Sequence, residues 1–320
     1  MSAPSQLIGI VVPVYRAEQF LRATLESMLV QTVCDWQCVL VDDGSPDSSY
    51  QIACEFAERD PRFRVVQQAN QGVSAARNRG FAELPPACQY VTFMDQDDAW
   101  LPDALECLYN EIEKHPEAIG VHGLADMIDA KGEPFLPGNF SNFGRQRIGY
   151  NGHAIVDWDP ALPTSFETLM HTGRVYPPGL LLVRRSAYEK VGAWDSTLSS
   201  VQDWDMCIRL SRLGDLRFLD RVILKYRRHE DNGSNNHERN VREIRFLHHK
   251  TFFAPENTEA HRALVRGGWK AWQVYKLREK WQMLRDYLKK GQIVGVGKMT
   301  GHLLIHVYRY VRGYPTPTGV

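Results

Sequence analysis

The chain has 320 residues, 43% of them hydrophobic and 24% charged, with 38 Lys and Arg against 38 Asp and Glu. That length buries a sizeable core and excludes a single small module, and the ordinary composition excludes global disorder. The neutral total hides an asymmetry: from Arg262 to Arg312 there are twelve Lys or Arg against only Glu279 and Asp286.

Through the first half, short apolar runs alternate with amphipathic segments, the pattern of βαβ crossovers and a largely parallel sheet. Ile8 to Val14 predicts the first strand. Leu21, Leu25, Met28 and Leu29 recur at helical spacing, so a helix is expected over about 18–30. Strands follow at 36–41, 63–66 and 90–94, with helices at 48–57 and 74–81. Acidic residues come directly after the second and fourth strands, where open α/β sheets bind ligands. A helix at 102–115 and a strand at 119–127 come next, turning at Asp129-Ala130-Lys131-Gly132. From Glu133 to Pro178 the chain is rich in Gly, Pro, Asn and aromatics without clear period and reads as a long acceptor-side loop region. A strand at 180–183, a helix at 202–213 ended by Gly214 and a strand at 222–226 complete this part, and beyond Glu238 the pattern is helical to near Gly313.

Four clusters carry chemistry. In Val41-Asp42-Asp43-Gly44-Ser45 a buried strand runs into two carboxylates, which suit hydrogen bonds from a base or ribose as well as a capped turn. In Met94-Asp95-Gln96-Asp97-Asp98 three carboxylates crowd into four residues; capping before Pro102 accounts for Asp98, and a hard divalent cation accounts better for all three. Gln202-Asp203-Trp204-Asp205 enters a helix, where the dipole favours acids whatever their task. Tyr226-Arg227-Arg228-His229 offers a basic run for phosphates and an imidazole for a metal shell.

In order, these clusters, with Val12-Pro13-Val14-Tyr15 and Gly72-Val73-Ser74-Ala75-Ala76-Arg77-Asn78-Arg79-Gly80, resemble the family 2 glycosyltransferases, inverting enzymes of the GT-A fold. The resemblance covers roughly residues 7–230. It implies a Rossmann-like, mainly parallel central sheet flanked by helices, with a helical C-terminal extension. It further implies a catalytic domain over 1–235, with a nucleotide-binding half at 1–128 and an acceptor half at 129–235, and a basic extension at 236–320. Pro13, Val14, Tyr15, Asp42 and Asp43 would cradle the nucleotide, Arg77 and Asn78 would lie near the ribose and diphosphate, and Asp95 and Gln96 would meet the nucleotide sugar. Asp97, with Asp95 and His229, would hold Mn2+ or Mg2+. Asp203 would be the general base, with Gln202 and Trp204 on the acceptor side.

The implied donor is a nucleotide-diphosphate sugar, UDP-sugar favoured, and the acceptor a saccharide, lipid-linked or protein-linked glycan. Gln202 departs from the family's usual Glu, which keeps open a protein of the same fold that binds a nucleotide sugar without turning it over. An oxidoreductase would need a glycine-rich turn where this chain has Pro13-Val14-Tyr15-Arg16-Ala17, and a glycoside hydrolase would need no metal cluster. The C-terminal Trp269, Trp272, Tyr275, Trp281 and Tyr287, interleaved with basic residues, read first as packing, second as contact with an anionic membrane; no nucleic-acid partner is expected.

Six cysteines without a CxxC pair, in mostly apolar surroundings, read as reduced core residues. The N-terminus lacks a charged n-region, and no stretch approaches the roughly 20 apolar residues of a span. The expected location is the cytoplasm, with peripheral contact on the cytoplasmic face of the membrane.

Overall fold

A computed structural model describes residues 8–150, 155–159, 161–171, 175–290 and 293–312. In chain order the elements are β1 (Ile8–Val14), α1 (Leu21–Leu29), β2 (Trp36–Asp42), α2 (Ser49–Arg59), β3 (Phe63–Gln67), α3 (Val73–Glu83) and β4 (Tyr90–Phe93). β5 (Ala99–Trp100), α4 (Ala104–Lys114), β6 (Gly120–Ile128), α5 (Asn139–Arg145), β7 (Arg147–Tyr150), β8 (Ile155–Trp158) and α6 (Phe166–His171) follow. The last are β9 (Leu181–Arg184), α7 (Arg185–Val191), α8 (Gln202–Ser211), β10 (Leu216–Arg227), α9 (His237–Phe252), α10 (Glu259–Lys289) and α11 (Ile293–Arg312).

The chain forms two compact units, one from the described residues within 1–145, 163–165 and 174–243, the other from those within 146–162, 166–173 and 244–320. The first is built on an eight-stranded sheet in the order β3-β2-β1-β4-β9-β6-β10-β5. β1 is buried along its whole length, which is why its β-branched run shows no polar alternation. Its parallel neighbours finish nearly level with it: Val14 pairs with Asp42 of β2, and Val11 with Phe93 of β4. The residues that follow these three strands therefore emerge along one edge of the sheet. α3 crosses β1 closely at Gly80, where an added Cβ would lie 2.3 Å from Val11 Cγ1.

The sheet is mainly parallel, as expected; β9 runs antiparallel to both β4 and β6, and β5 antiparallel to β10. A short apolar run such as Leu180–Val183 carries no sign of its direction. Several other expectations need correction. The strand expected from Val222 begins at Leu216, with a register irregularity between Phe218 and Val222 that breaks its sequence pattern. The stretch from Glu133 to Pro178 is not one loop; it holds α5, the β7–β8 hairpin and α6, all too short for a period to show. Cys34 is exposed and Cys54 and Cys107 are half-buried, so only Cys38, Cys88 and Cys207 are core thiols.

The second unit contains the hairpin, α6, the later part of α9, and the helical pair α10 and α11. Thr258 and His261 cap α10 reciprocally. At Gly268 the helix comes so near α6 that an added Cβ would lie 2.3 Å from the Met170 carbonyl oxygen. His306 Nδ1 of α11 lies 2.7 Å from Gln273 Oε1 of α10. Among the described residues no helix is long and apolar enough to cross a membrane.

Candidate active site

Where β1 ends, Tyr15 is fixed by its backbone. Its N–H donates to Gln96 Oε1 at 2.6 Å and its carbonyl accepts from Gln96 Nε2 at 3.0 Å, so one amide ties the ends of β1 and β4 together. Pro13 and Val14 are buried beside it. Asp42 and Asp43, at 0% and 3% exposure, point into the loop that follows β3 rather than into solvent. Asp42 Oδ2 accepts from Gln67 Nε2 at 3.0 Å, while Asp43 accepts from Gln68 Nε2 and from the N–H groups of Gln71 and Gly72 at 2.8–2.9 Å. Gly44 turns the chain between them and the next helix with φ +73°, a conformation glycine takes without steric cost.

The acidic triplet after β4 divides its work three ways. Arg77 Nη2 donates to Asp95 Oδ1 at 2.6 Å; the guanidinium is only 2% exposed and its carbon lies 4.5 Å from the centre of the Trp194 ring. Burial pushes the Asp95 carboxyl up, Arg77 pulls it down and Asp97 pushes it up again. Asp97 Oδ2 lies 2.9 Å from His229 Nε2, and Asn232 Nδ2 donates to the same oxygen at 3.4 Å. Asn232 also accepts from the His229 N–H at 2.7 Å, and Phe20 packs on the imidazole with ring centres 4.5 Å apart. Asp98 is fully buried and does not cap a helix; its Oδ1 accepts from the Arg227 N–H at 2.9 Å. Burial, followed by Asp97 and Asp95, drives its carboxyl well above the usual range.

The basic run after β10 is not a free phosphate site. Arg227 is 6% exposed and donates to the carbonyls of Asp97 at 2.8 Å and Asp129 at 3.2 Å, bracing the acidic turn. Arg228 donates to Asn235 Oδ1 at 2.8 Å.

Asp203 stands in the first turn of α8, half-buried, with Oδ1 accepting from the Trp204 N–H at 2.7 Å. Burial pushes its carboxyl up to about 6, against the pull of that hydrogen bond and of Arg77, with Asp95 adding to the rise. The burial has a visible source. The side chain borders a cavity of about 20 Å³ whose wall is otherwise apolar, including Phe93, Val183, Trp194, Met206 and Leu210. The electrostatic reach of Arg77 and Asp95 onto Asp203, and of Asp97 onto Asp95, puts all four groups in one neighbourhood.

Other side chains hold this arrangement. Asn78 is spent on Trp194, donating to its carbonyl at 3.0 Å and accepting from its N–H at 2.8 Å, which fixes the indole under Arg77. The loop leading to α8 is held by Glu243 of α9, whose carboxylate accepts from both the N–H and the hydroxyl of Ser199 and of Ser200, at 2.6–3.0 Å. Neither Trp194, Asn232 nor Glu243 carried a sequence signal: Trp194 meets Asn78, Asn232 reaches Asp97 as well as nearby His229, and Glu243 meets Ser199 and Ser200, pairings that are mostly distant in sequence.

The buried polar atoms left without a hydrogen-bond partner among the described residues include, in this site, Arg77 Nε and Nη1, Asp98 Oδ2, Trp194 Nε1, Gln202 Oε1 and His229 Nδ1. Unsatisfied buried donors on a cation are costly, so they mark where an anionic ligand fits. Among the described residues no three His, Cys, Asp or Glu form a ready-made metal cage. The Asp97 and His229 pair nevertheless fits a divalent ion whose remaining ligands come from substrate phosphate, because its oxygen and nitrogen lie at the spacing of neighbouring ligands.

A family model described as "Glycosyl transferase family 2" matches residues 9–192. The glycosyltransferase GlyA of Streptococcus pneumoniae serotype 4 is 39% identical over 125 residues, covering 39% of this chain and 18% of that protein. The chain matches less than a third of the length of the first curated relatives. Among solved structures, S. aureus TarS 1-349 in complex with UDP-GlcNAc aligns with a TM-score of 0.61 at 16% identity, covering 91% of this chain and 90% of that one. The mannosyltransferase PcManGT from Pyrobaculum calidifontis, in complex with GDP-Man and Mn2+, aligns with a TM-score of 0.59 at 14% identity over 95% of this chain and 81% of that one. At such identities these structures speak for the fold alone, which is the GT-A fold.

Proposed function

The chain belongs to glycosyltransferase family 2, and from that membership we propose that it transfers a hexosyl unit, with inversion, from a nucleotide-diphosphate sugar to an acceptor hydroxyl. The observation that carries this reading is Asp203: a carboxyl raised to about 6 by an apolar wall, beside a buried Arg77 with two unpaired donors. The acceptor oxygen attacks the anomeric carbon, the bond to the diphosphate oxygen breaks, and the acceptor proton passes to Asp203. A carboxylate with a raised pKa is a stronger base than a free aspartate yet is still ionised at neutral pH.

Arg77 meets the diphosphate with its free donors while Asp95 holds it in place. Asp42, Asp43, Pro13, Val14 and Tyr15 form the nucleotide cradle, Gln96 and Asn78 keep its walls in register, and Gln202 and Trp204 face the acceptor. Asp97 and His229, with Asp95, would hold Mn2+ or Mg2+, and the imidazole tilts the choice to Mn2+. A bound divalent ion supplies neutralisation of charge on the leaving diphosphate. UDP-GlcNAc in one structural neighbour supports a UDP-sugar donor, and Mn2+ in another supports a divalent ion. The acceptor is a saccharide, lipid-linked or protein-linked glycan of cell-envelope type, reached at the cytoplasmic face of an anionic membrane.

Incubating the full chain with a panel of nucleotide sugars and candidate acceptors, with Mn2+ or with a chelator, tests the reading. Metal-dependent release of nucleoside diphosphate is expected for one donor. Saturable donor binding with no consumption under any condition would favour the non-catalytic reading that Gln202 raises.

A further inference from the structure

The outward side of α11 is apolar where a solvated helix should be polar. Leu304, Ile305, Val307, Tyr308 and Val311 are 64%, 46%, 45%, 60% and 78% exposed, five large apolar side chains within eight residues. Helical spacing gathers them: at 100° per residue they fan over one side, opposite Met299 and His306, which are buried. α11 packs on α10 with that opposite side, as the His306–Gln273 contact shows. The stripe is thus left over after the helical pair has formed, and so large an exposed apolar patch needs an occupant.

Charge identifies the occupant. The sequence of α11 contains no acidic residue and includes Lys298, Arg309 and Arg312. On α10, Trp281 and Leu288, 56% and 58% exposed, stand seven residues apart on one face, next to exposed Arg278 and Arg285, and the helix ends at exposed Lys289 and Lys290. A second copy of this chain would bring the twelve basic residues between Arg262 and Arg312 against twelve, with only Glu259, Glu279 and Asp286 on each side to offset them. Apolar side chains with basic flanks and an indole suit the headgroup boundary of an anionic bilayer. No helix among the described residues crosses a membrane, so contact is in the plane of the surface.

We propose that α11, through Leu304, Ile305, Val307, Tyr308 and Val311, lies in the interface of an anionic phospholipid membrane, with the basic residues of α10 and α11 against the headgroups. This deepens the peripheral contact named above and rests on it only for location, since binding is measured without any donor. It assigns the surface to the second unit and leaves the acceptor as lipid-linked or water-soluble.

The test is co-sedimentation of the full chain with vesicles of zwitterionic phospholipid alone or with roughly a third anionic phospholipid. Pelleting with the anionic vesicles and little with the neutral ones is expected. The double variant Leu304→Ser/Tyr308→Ser should lower that affinity by about tenfold or more, and Arg309→Glu by about fivefold. Because Leu304 and Tyr308 are already exposed, the double variant should melt like the wild type, and its transfer to a soluble acceptor should be unchanged; a melt of Arg309→Glu, at a half-buried position, accompanies its binding curve. Equal pelleting of wild type and double variant overturns the proposal, as does failure of the wild type to bind anionic vesicles. Wild type that elutes as a dimer, ignores lipid and becomes monomeric in the double variant assigns the stripe to a second copy instead. Asp203→Asn gives the separate control: binding to vesicles with no transfer leaves the surface standing whatever happens to the proposed chemistry.

Discussion

Two regions solve opposite problems. At the strand ends of the first unit, Asp42, Asp43, Asp95, Asp97 and Asp98 are drawn in from water and each meets a donor, from Gln67, the Gln71 and Gly72 amides, Arg77, Asn232 and the Arg227 amide respectively. In the helical pair of the second unit, large apolar side chains such as Leu304, Ile305, Val311, Trp281 and Leu288 are instead left exposed to water. Buried charge must be compensated where it stands, so the first region is rigid and its residues are individually indispensable. Exposed apolar surface costs little to fold, so the second can lose single residues without structural effect. Substitutions should separate the two regions by both size and kind of effect.

The largest effect is expected at Asp203. Asp203→Asn keeps the shape and the Trp204 N–H contact but removes the base, and should lower transfer by about 10²- to 10⁴-fold with donor affinity retained. Isothermal titration with the donor beside a transfer assay separates the two. Unaltered transfer in the variant would sink the assignment of the base. The pH dependence follows from the same shift: kcat/KM of the wild type should climb as pH rises through about 6. Stability should move the other way. The folded carboxyl is raised above its unfolded value, so the folded state binds the proton more tightly and loses stability as pH rises from about 4 to about 6, by up to about 3 kcal/mol. Asp203→Asn should abolish that slope and be the more stable protein at pH 7.

Next is Arg77, whose removal leaves Asp95 without its partner. Arg77→Met should cost about 3–5 kcal/mol as read by urea unfolding. A cost under about 1 kcal/mol would mean that Asp95 is solvated after all, and the contrast between the regions would weaken. Smaller again is Glu243. Burial pushes its carboxyl up, but the Ser199 and Ser200 donors outweigh that and hold it low, so it is ionised and stabilising at neutral pH and loses this as pH falls. Glu243→Ala should cost about 2–3 kcal/mol and reduce kcat more than donor affinity, because the loop it holds leads straight into Asp203.

The first region was readable because charge beside a buried strand is conspicuous. Ile8–Val14 was found to the residue, and the carboxylates after β2 and β4 were found with it. What each carboxylate does was less readable. Asp98 looked like a cap and is instead a buried acceptor for Arg227, a residue 129 positions away that itself looked like a phosphate ligand. Gln96 and Asn78 were singled out toward a ligand, and both spend their amides on backbone, of Tyr15 and Trp194. Local pattern reports that a polar group will be buried; only long-range packing decides its partner. In the second unit the helices were plain from periodicity, but α11 has apolar residues on both sides, and no pattern says which side faces α10.

Glycines give the smallest and most discriminating contrast, because the same substitution should change sign within the second unit. Gly268 and Gly301 both lie inside helices, where alanine is intrinsically better by about 1 kcal/mol. At Gly301 nothing lies within 4 Å of an added Cβ, so Gly301→Ala should keep that gain and stabilise by about 0.5–1 kcal/mol. At Gly268 the new methyl would meet the Met170 carbonyl oxygen at 2.3 Å and its carbon at 2.8 Å, backbone atoms that cannot rotate away. Overpacking of about 1–3 kcal/mol then exceeds the helical gain, and Gly268→Ala should be destabilising overall. Thermal melts of the two variants beside the wild type read the signs directly. If both stabilise, α10 is free to move off α6, and the second unit is a looser body than its close glycine contact implies.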